Sequence, residues 1–226
     1  MECQICKGTG WVIEEVRGKR FARRCRCQFK KFSKEFLASS GIPRRYRKCR
    51  FKNYQPQNQY QFRALKVCKE FFFQFPFVSK GILLYGPPGT GKTHLAVATL
   101  QNIIEFKGLR GIFCDFRGLL LDLKSSYESR TSSSEILDSV RKVPLLILDD
   151  VGAERNTDWA KDILSEIVNY RYTQSLPTVI TTNLRFDTYS SDSFLAKFDE
   201  RTESRLYDMC QIVKVEGDDR RKAAGF

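Results

Sequence analysis

The 226-residue sequence contains no run of 18 apolar residues. A membrane-crossing helix needs about that length, so neither a span nor a membrane partner is expected. The N-terminus also lacks the apolar stretch of a secretory leader. A cytoplasmic location is therefore expected, where thiols stay mostly reduced. Histidine occurs once, as His94, so imidazole chemistry has a single candidate. Acids are scarce in the first 52 residues, where 16 Lys and Arg stand against 4 Asp and Glu. Of the net charge of +13, these 52 residues carry +12, and the remainder is near neutral. Charge at that density points to an acidic protein surface or nucleic acid as partner.

Beyond the head, short apolar runs alternate with helical patterns. Strands are expected at 81–86, 111–116, 143–150, 177–183 and 210–215. Helices are expected at 60–74, 91–108, 119–127, 157–174 and 191–208, with a polar loop at 130–135. Strands alternating with helices imply a parallel sheet covered on both faces. Phe29, Phe32, Phe36 and Leu37 fall on one helical face, stopped by Gly41. The stretch 42–59 is basic, then polar, with two prolines. The expected organisation is a head at 1–41, a linker at 42–59 and a larger domain at 60–226. Eleven residues follow Val215, too few for a further helical domain.

The strongest motif is "GPPGTGKT", Gly86, Pro87, Pro88, Gly89, Thr90, Gly91, Lys92 and Thr93. It fits G-x-x-x-x-G-K-[ST], and it follows an expected strand and opens an expected helix. Its glycines let backbone N–H groups converge on phosphate, at the positive end of a helix. Lys92 is placed for the β and γ phosphates of ATP, and the Thr93 hydroxyl for Mg²⁺. His94 lies on the helix beyond the cradle and reads as structural. "LLILDD" ends an apolar strand in two acids. Asp149 is expected to hold Mg²⁺ through water, and Asp150 to orient the attacking water. An aspartate is one methylene shorter than a glutamate, so slow hydrolysis is expected. Asn183, closing "TTN", is placed for the γ phosphate or the water.

The order GPPGTGKT, LLILDD, TTN and "ERTESRL" resembles the AAA+ ATPases. More narrowly, "LDDVGAERNTDW" and "LPTVITTN" are similar to the bacterial replicative helicase loaders of the DnaC/DnaI type, with IstB-type transposition helpers as near relatives. The resemblance covers essentially the whole chain. It implies an α/β fold, a P-loop parallel sheet flanked by helices, without a C-terminal lid. It also implies ATP binding, self-association into a spiral or ring, a hexameric replicative helicase as partner, and single-stranded DNA. Arg205 in "SRL" matches the arginine finger aimed at a neighbour's γ phosphate, with Arg201 as the alternative. Arg220 in "DDRR" matches the late nucleotide-sensing arginine, with Arg221 beside it. Lys124 and Tyr127 lie where a DNA-contacting helix belongs.

Cys49, Cys68, Cys114 and Cys210 are scattered singly, as small buried residues are. Cys3, Cys6, Cys25 and Cys27 form C-x₂-C-x₁₈-C-x-C, with a hairpin-like alternation about Gly18 between the pairs. Folding back would bring four thiolates to one Zn²⁺. The C-x-C half is tighter than usual. A redox pair, a single chaperone-type C-x-x-C-x-G-x-G repeat and unliganded thiols are the alternatives. A zinc-stapled head that grips the helicase, with ATP controlling release, is the expected function. A transposase helper, an adaptor with a structural ATP site, and a nucleic-acid module acting through the head alone are its rivals.

Overall fold

Five apolar segments pair as parallel strands in the computed structural model, which describes residues 3–16, 19–128, 132–154, 157–186 and 193–223. These are β3 (Gly81–Tyr85), β4 (Gly111–Asp115), β5 (Leu145–Val151), β6 (Thr178–Thr182) and β7 (Cys210–Lys214), in the order β4-β5-β6-β3-β7. Successive side chains of a strand point to opposite faces, and each face has its own core. Ile82, Leu84, Ile147, Val179 and Val213 face α2 (Gln59–Gln74) and α3 (Lys92–Asn102). Leu83, Leu146, Leu148 and Ile180 face α4 (Phe116–Glu128), α6 (Asp158–Thr173) and α8 (Glu200–Met209). Leu83, Leu146 and Leu148 are fully buried, each worth roughly 2 kcal/mol of burial. The near-continuous apolar runs are thus those of a doubly covered parallel sheet.

Differences from the sequence expectations have local causes. The helix expected over 91–108 ends at Asn102 and continues as one π turn, Ile103–Lys107. The polar loop at 130–135 leads into α5 (Ser133–Arg141), whose first turn is serine-rich and whose buried contact is the single Val140. The helix expected over 191–208 is broken: α7 (Phe194–Lys197) is followed by Asp199, which caps α8 by accepting from Thr202 N at 2.8 Å. Part of the 191–208 expectation lies outside the described residues.

The head is a two-stranded antiparallel hairpin, β1 (Trp11–Val16) with β2 (Lys19–Arg24), followed by α1 (Arg26–Ala38). Gly18 itself lies outside the described residues. Phe36 and Leu37 of α1 pack on the core of the sheet's first face. Ser40 accepts from Phe113 N at 2.7 Å through its carbonyl, so the end of the head covers part of edge strand β4. Residues 42–59 differ from a linker. They form two 3₁₀ turns, Arg44–Tyr46 and Phe51–Asn53, and bury Ile42, Cys49 and Tyr54 in that core. Three widely spaced buried residues carry no periodicity, so the sequence offered no sign of this packing. A last turn, α9 (Arg220–Ala223), follows β7.

Candidate nucleotide site

The loop from β3 to α3 wraps a cavity of about 300 Å³ outside the carboxyl ends of the strands. Ligands of open α/β sheets bind at such ends. Gly89 and Gly91 have φ of +79° and +101°. A Cβ on Gly89 would fall 1.8 Å from Asp219 Oδ1, and one on Gly91 would fall 2.7 Å from the Tyr54 ring. Glycine is therefore required twice over, by backbone conformation and by space. Lys92 opens α3 and is mostly buried. Its Nζ donates to Gly86 O at 2.7 Å, Pro87 O at 2.7 Å and Asn183 Oδ1 at 2.8 Å. Burial pulls its ammonium down to about 8, against the opposing pull of Asp150 and Asp149. Thr90 folds inward and donates to Pro87 O at 3.0 Å.

Strand β5 delivers the two acids to the same cavity. Asp149 is 6% exposed and accepts from Thr181 Oγ1 at 2.6 Å and Thr93 Oγ1 at 3.3 Å. Burial pushes its carboxyl up to about 6, with Asp150 and Asp115 adding to the rise. Asp150 has φ +56°, where a non-glycine residue is strained. The pairing of β5 with β6 shifts register between Leu148 and Val151 at this point. The bulge lets consecutive acids serve one site. Asp150 N donates to Thr181 Oγ1 at 2.9 Å, and Asp150 Oδ1 accepts from Asn183 Nδ2 at 2.8 Å.

From the other end of the chain, Arg220 and Arg221 line the cavity. Arg220 N donates to Gly89 O at 3.2 Å, its guanidinium lies 4.6 Å over the Tyr54 ring, and its Nη2 donates to Gln55 O at 2.7 Å. The structure therefore brings together Lys92, Thr93, Asp149, Asp150, Asn183 and Arg220. It does not bring Arg205 there. Arg205 is half-buried on α8, its guanidinium 5.9 Å from the centre of the Tyr172 ring, and Arg201 is exposed on the same helix. His94 sits against the cavity with Nε2 3.0 Å from Arg50 O and its ring edge-on to Tyr54. Arg45, Tyr46 and Thr181 also line the cavity. Sequence reasoning missed all three. Thr181 stood inside "TTN", but Arg45 and Tyr46 were two residues in a basic stretch with no distinguishing pattern. Lys124 rests 5.0 Å over the Trp159 ring, and the Tyr127 side chain lies outside the described residues.

The four head thiols form a second centre. Their sulfurs lie within 4.8 Å of one another, with Cys3–Cys25 at 3.7 Å and Cys6–Cys27 at 3.4 Å. A tetrahedral zinc with Zn–S of about 2.3 Å sets sulfurs about 3.8 Å apart, so these four fit that metal. Backbone hydrogen bonds from Cys6 and Ile5 lower the Cys3 thiol to about 6, while the hydrogen bond with the Cys6 thiol, above all, raises Cys27.

Residues 34–225 match the family of IstB-like ATP binding proteins. The chain belongs to that family. Among curated relatives, it is 29% identical over 211 residues to Bacillus subtilis YqaM, covering 88% of this chain and 64% of YqaM. It is 28% identical over 145 residues to the Escherichia coli replicative helicase loader DnaC, covering 64% of this chain and 59% of DnaC. The chain thus spans less than two thirds of the length of either. The crystal structure of the DnaC helicase loader superposes with a TM-score of 0.69 at 37% identity, covering 77% of this chain and all of that one. The crystal structure of DnaI gives 0.63 at 25% identity, covering 80% and 94%. The resemblance to DnaC- and DnaI-type AAA+ proteins, drawn from the motifs, agrees with these likenesses. Among the described residues, no helix is long and apolar enough to cross a membrane.

Proposed function

We propose that this IstB-like chain binds Mg²⁺-ATP in the cavity, hydrolyses it slowly, and acts in replication initiation as a loader of a replicative helicase onto single-stranded DNA. The observation that carries the ATP reading is the convergence of Lys92, Thr93, Asp149, Asp150 and Asn183 on one cavity. Thr93 and Asp149 would hold Mg²⁺, which neutralises charge on the β and γ phosphates. Lys92 exchanges its contacts with Gly86 O and Pro87 O for phosphate oxygens. Asp150 accepts the proton of the attacking water, and Asn183 holds that carboxylate in place. Arg220 and Arg221 meet the phosphates from the side of α9.

Arg205 acts in a neighbouring copy's cavity; it does not line its own, and its guanidinium lies near the Tyr172 ring. The cysteine head, closed by zinc and lying within the basic first 52 residues that carry most of the net charge, takes the helicase as partner. The likeness to the DnaC and DnaI structures supports the loader reading. The match to IstB-like proteins supports a second reading, a helper ATPase of a transposase.

Co-purification against a hexameric replicative helicase and against a transposase separates the two. Binding the helicase, with ATP-dependent change in its DNA loading, supports the first. Binding only the transposase sinks it. Arg205→Ala should bind ATP as the parent does and lose roughly 10³-fold of the stimulated hydrolysis, the scale of other arginine fingers. Lost ATP binding in that variant would count against a finger acting across subunits.

A further inference from the structure

The segment from Arg44 to Tyr54 has two sides. Arg45 and Tyr46 line the nucleotide cavity. Arg47, Lys48, Phe51 and Lys52 line a separate groove of about 720 Å³, closed opposite by Lys69 of α2 and Phe106 of the π turn. Arg47, Lys48, Lys52 and Lys69 are exposed, and among the described residues no carboxylate pairs with them. Glu105 is the acid of the groove, and it is held by Arg50 at 2.7 Å. The site is thus a cluster of cations whose charge no carboxylate answers among the described residues.

The same groove presents two aromatic rings, Phe51 and Phe106. Phe106 is 68% exposed, and Phe73, outside the groove lining, is 72% exposed. Both touch half-buried Phe72, with centroids at 6.2 Å and 5.1 Å, and Phe51 joins the same ring at 6.4 Å. The underside of the cluster is packed, while the rings of Phe106 and Phe73 stay open to solvent. The π turn that carries Phe106 breaks the regular end of α3. Such turns recur at functional sites.

Cations and an open ring face in one groove suit a strand of phosphates with unpaired bases. A duplex keeps its bases stacked inside and would leave the rings unused. An acidic peptide would answer the charge but not the exposed ring faces. We propose that this groove binds single-stranded nucleic acid, with phosphates on Arg47, Lys48, Lys52 and Lys69 and a base stacked on Phe106. The site shares no residue with the nucleotide machinery or with α4, and it does not depend on the loader reading.

The test uses the full chain and fluorescence anisotropy with a labelled oligo(dT) of about 12 nucleotides, within the span of known single-strand sites. Phe106→Ala should weaken binding roughly tenfold or more, the scale of one lost base stack. The same variant should bind an abasic oligomer as the parent does. A Lys52→Ala/Lys69→Ala variant should lower the salt slope by about 1.4, for two lost phosphate contacts. Both variants should bind ATP as the parent does, which shows that they fold. Unchanged oligo(dT) affinity in both variants overturns the proposal. So does a polyglutamate peptide that competes as well as unlabelled oligo(dT), which would assign the groove to an acidic protein. Ultraviolet crosslinking of the unmodified chain to oligo(dT) needs no variant. Crosslinks in peptides holding Phe51 or Phe106 support the site, and crosslinks confined to other elements overturn it.

Discussion

Asn183 accepts from Lys92 Nζ at 2.8 Å. Its amide nitrogen donates to Asp150 at the same distance. One side chain thus ties Lys92, the proposed phosphate-binding cation, to Asp150, the acid proposed to handle water. Asn183→Ala leaves Lys92 two carbonyl partners but frees Asp150 to rotate. ATP affinity should stay within a few-fold, while kcat falls about 10²-fold, the scale of losing one positioned donor. Equilibrium binding beside steady-state hydrolysis checks the split. A loss found wholly in binding would remove Asn183 from the chemistry.

Asp149 makes the nucleotide-free protein sensitive to pH. Its folded carboxyl titrates at about 6 rather than the ordinary 3.8, chiefly because it is buried. The folded state therefore holds the proton more tightly than the unfolded chain. That contribution is fully present below pH 4 and is lost as pH rises through about 6. The ionised group then costs an order of 3 kcal/mol. Asp149→Asn should raise the melting temperature above the parent's at pH 7.5, with the two converging near pH 4. Mg²⁺-ATP should stabilise the parent and not the variant. A variant less stable than the parent at pH 7.5 would contradict this account.

Much of the sheet domain was legible in the sequence because its signals are local. Strand β3, the cradle after it and the two acids ending β5 each announce themselves within ten residues. The five strands fall where alternating apolar runs put them, and the strand ends carry Asp149, Asp150 and Asn183 to one place. The segment 42–59 was not legible. Its role rests on Ile42, Cys49 and Tyr54, each buried alone among polar neighbours. Arg45 and Tyr46 reach the cavity only because that segment folds against it. Long-range packing of isolated side chains leaves no period to read.

The cysteine head offers a test that is independent of ATP. Its sulfurs are placed for one zinc, and a head this small has little apolar core of its own. Metal analysis of the purified chain should find about one zinc, lost in a Cys25→Ser/Cys27→Ser variant. The nucleotide cavity includes none of these cysteines. The variant should therefore bind ATP normally while its hairpin loses amide protection in hydrogen exchange. Zinc retained in the double variant would show that Cys25 and Cys27 do not complete the site.

Arg171 is fully buried, yet among the described residues none of its hydrogen-bond partners is a carboxylate. Its guanidinium donates to Thr178 Oγ1 at 2.7 Å, to Arg141 O and Val143 O at 2.9 Å each, and to Pro177 O at 2.6 Å. Burial pulls its pKa down to about 9. One planar fork thus joins α6, the lead into β5 and the start of β6, the two strands that carry Asp149 and Asn183. A lysine offers a point charge and cannot copy that fork. Arg171→Met would leave three carbonyls without their donor, at about 1–3 kcal/mol each. The expected loss is at least about 3 kcal/mol, or roughly 6–12 °C in melting temperature for a domain of this size. Arg171→Lys should recover only part of it. A melting temperature unchanged in Arg171→Met would mean that the strand ends hold their positions without the clamp.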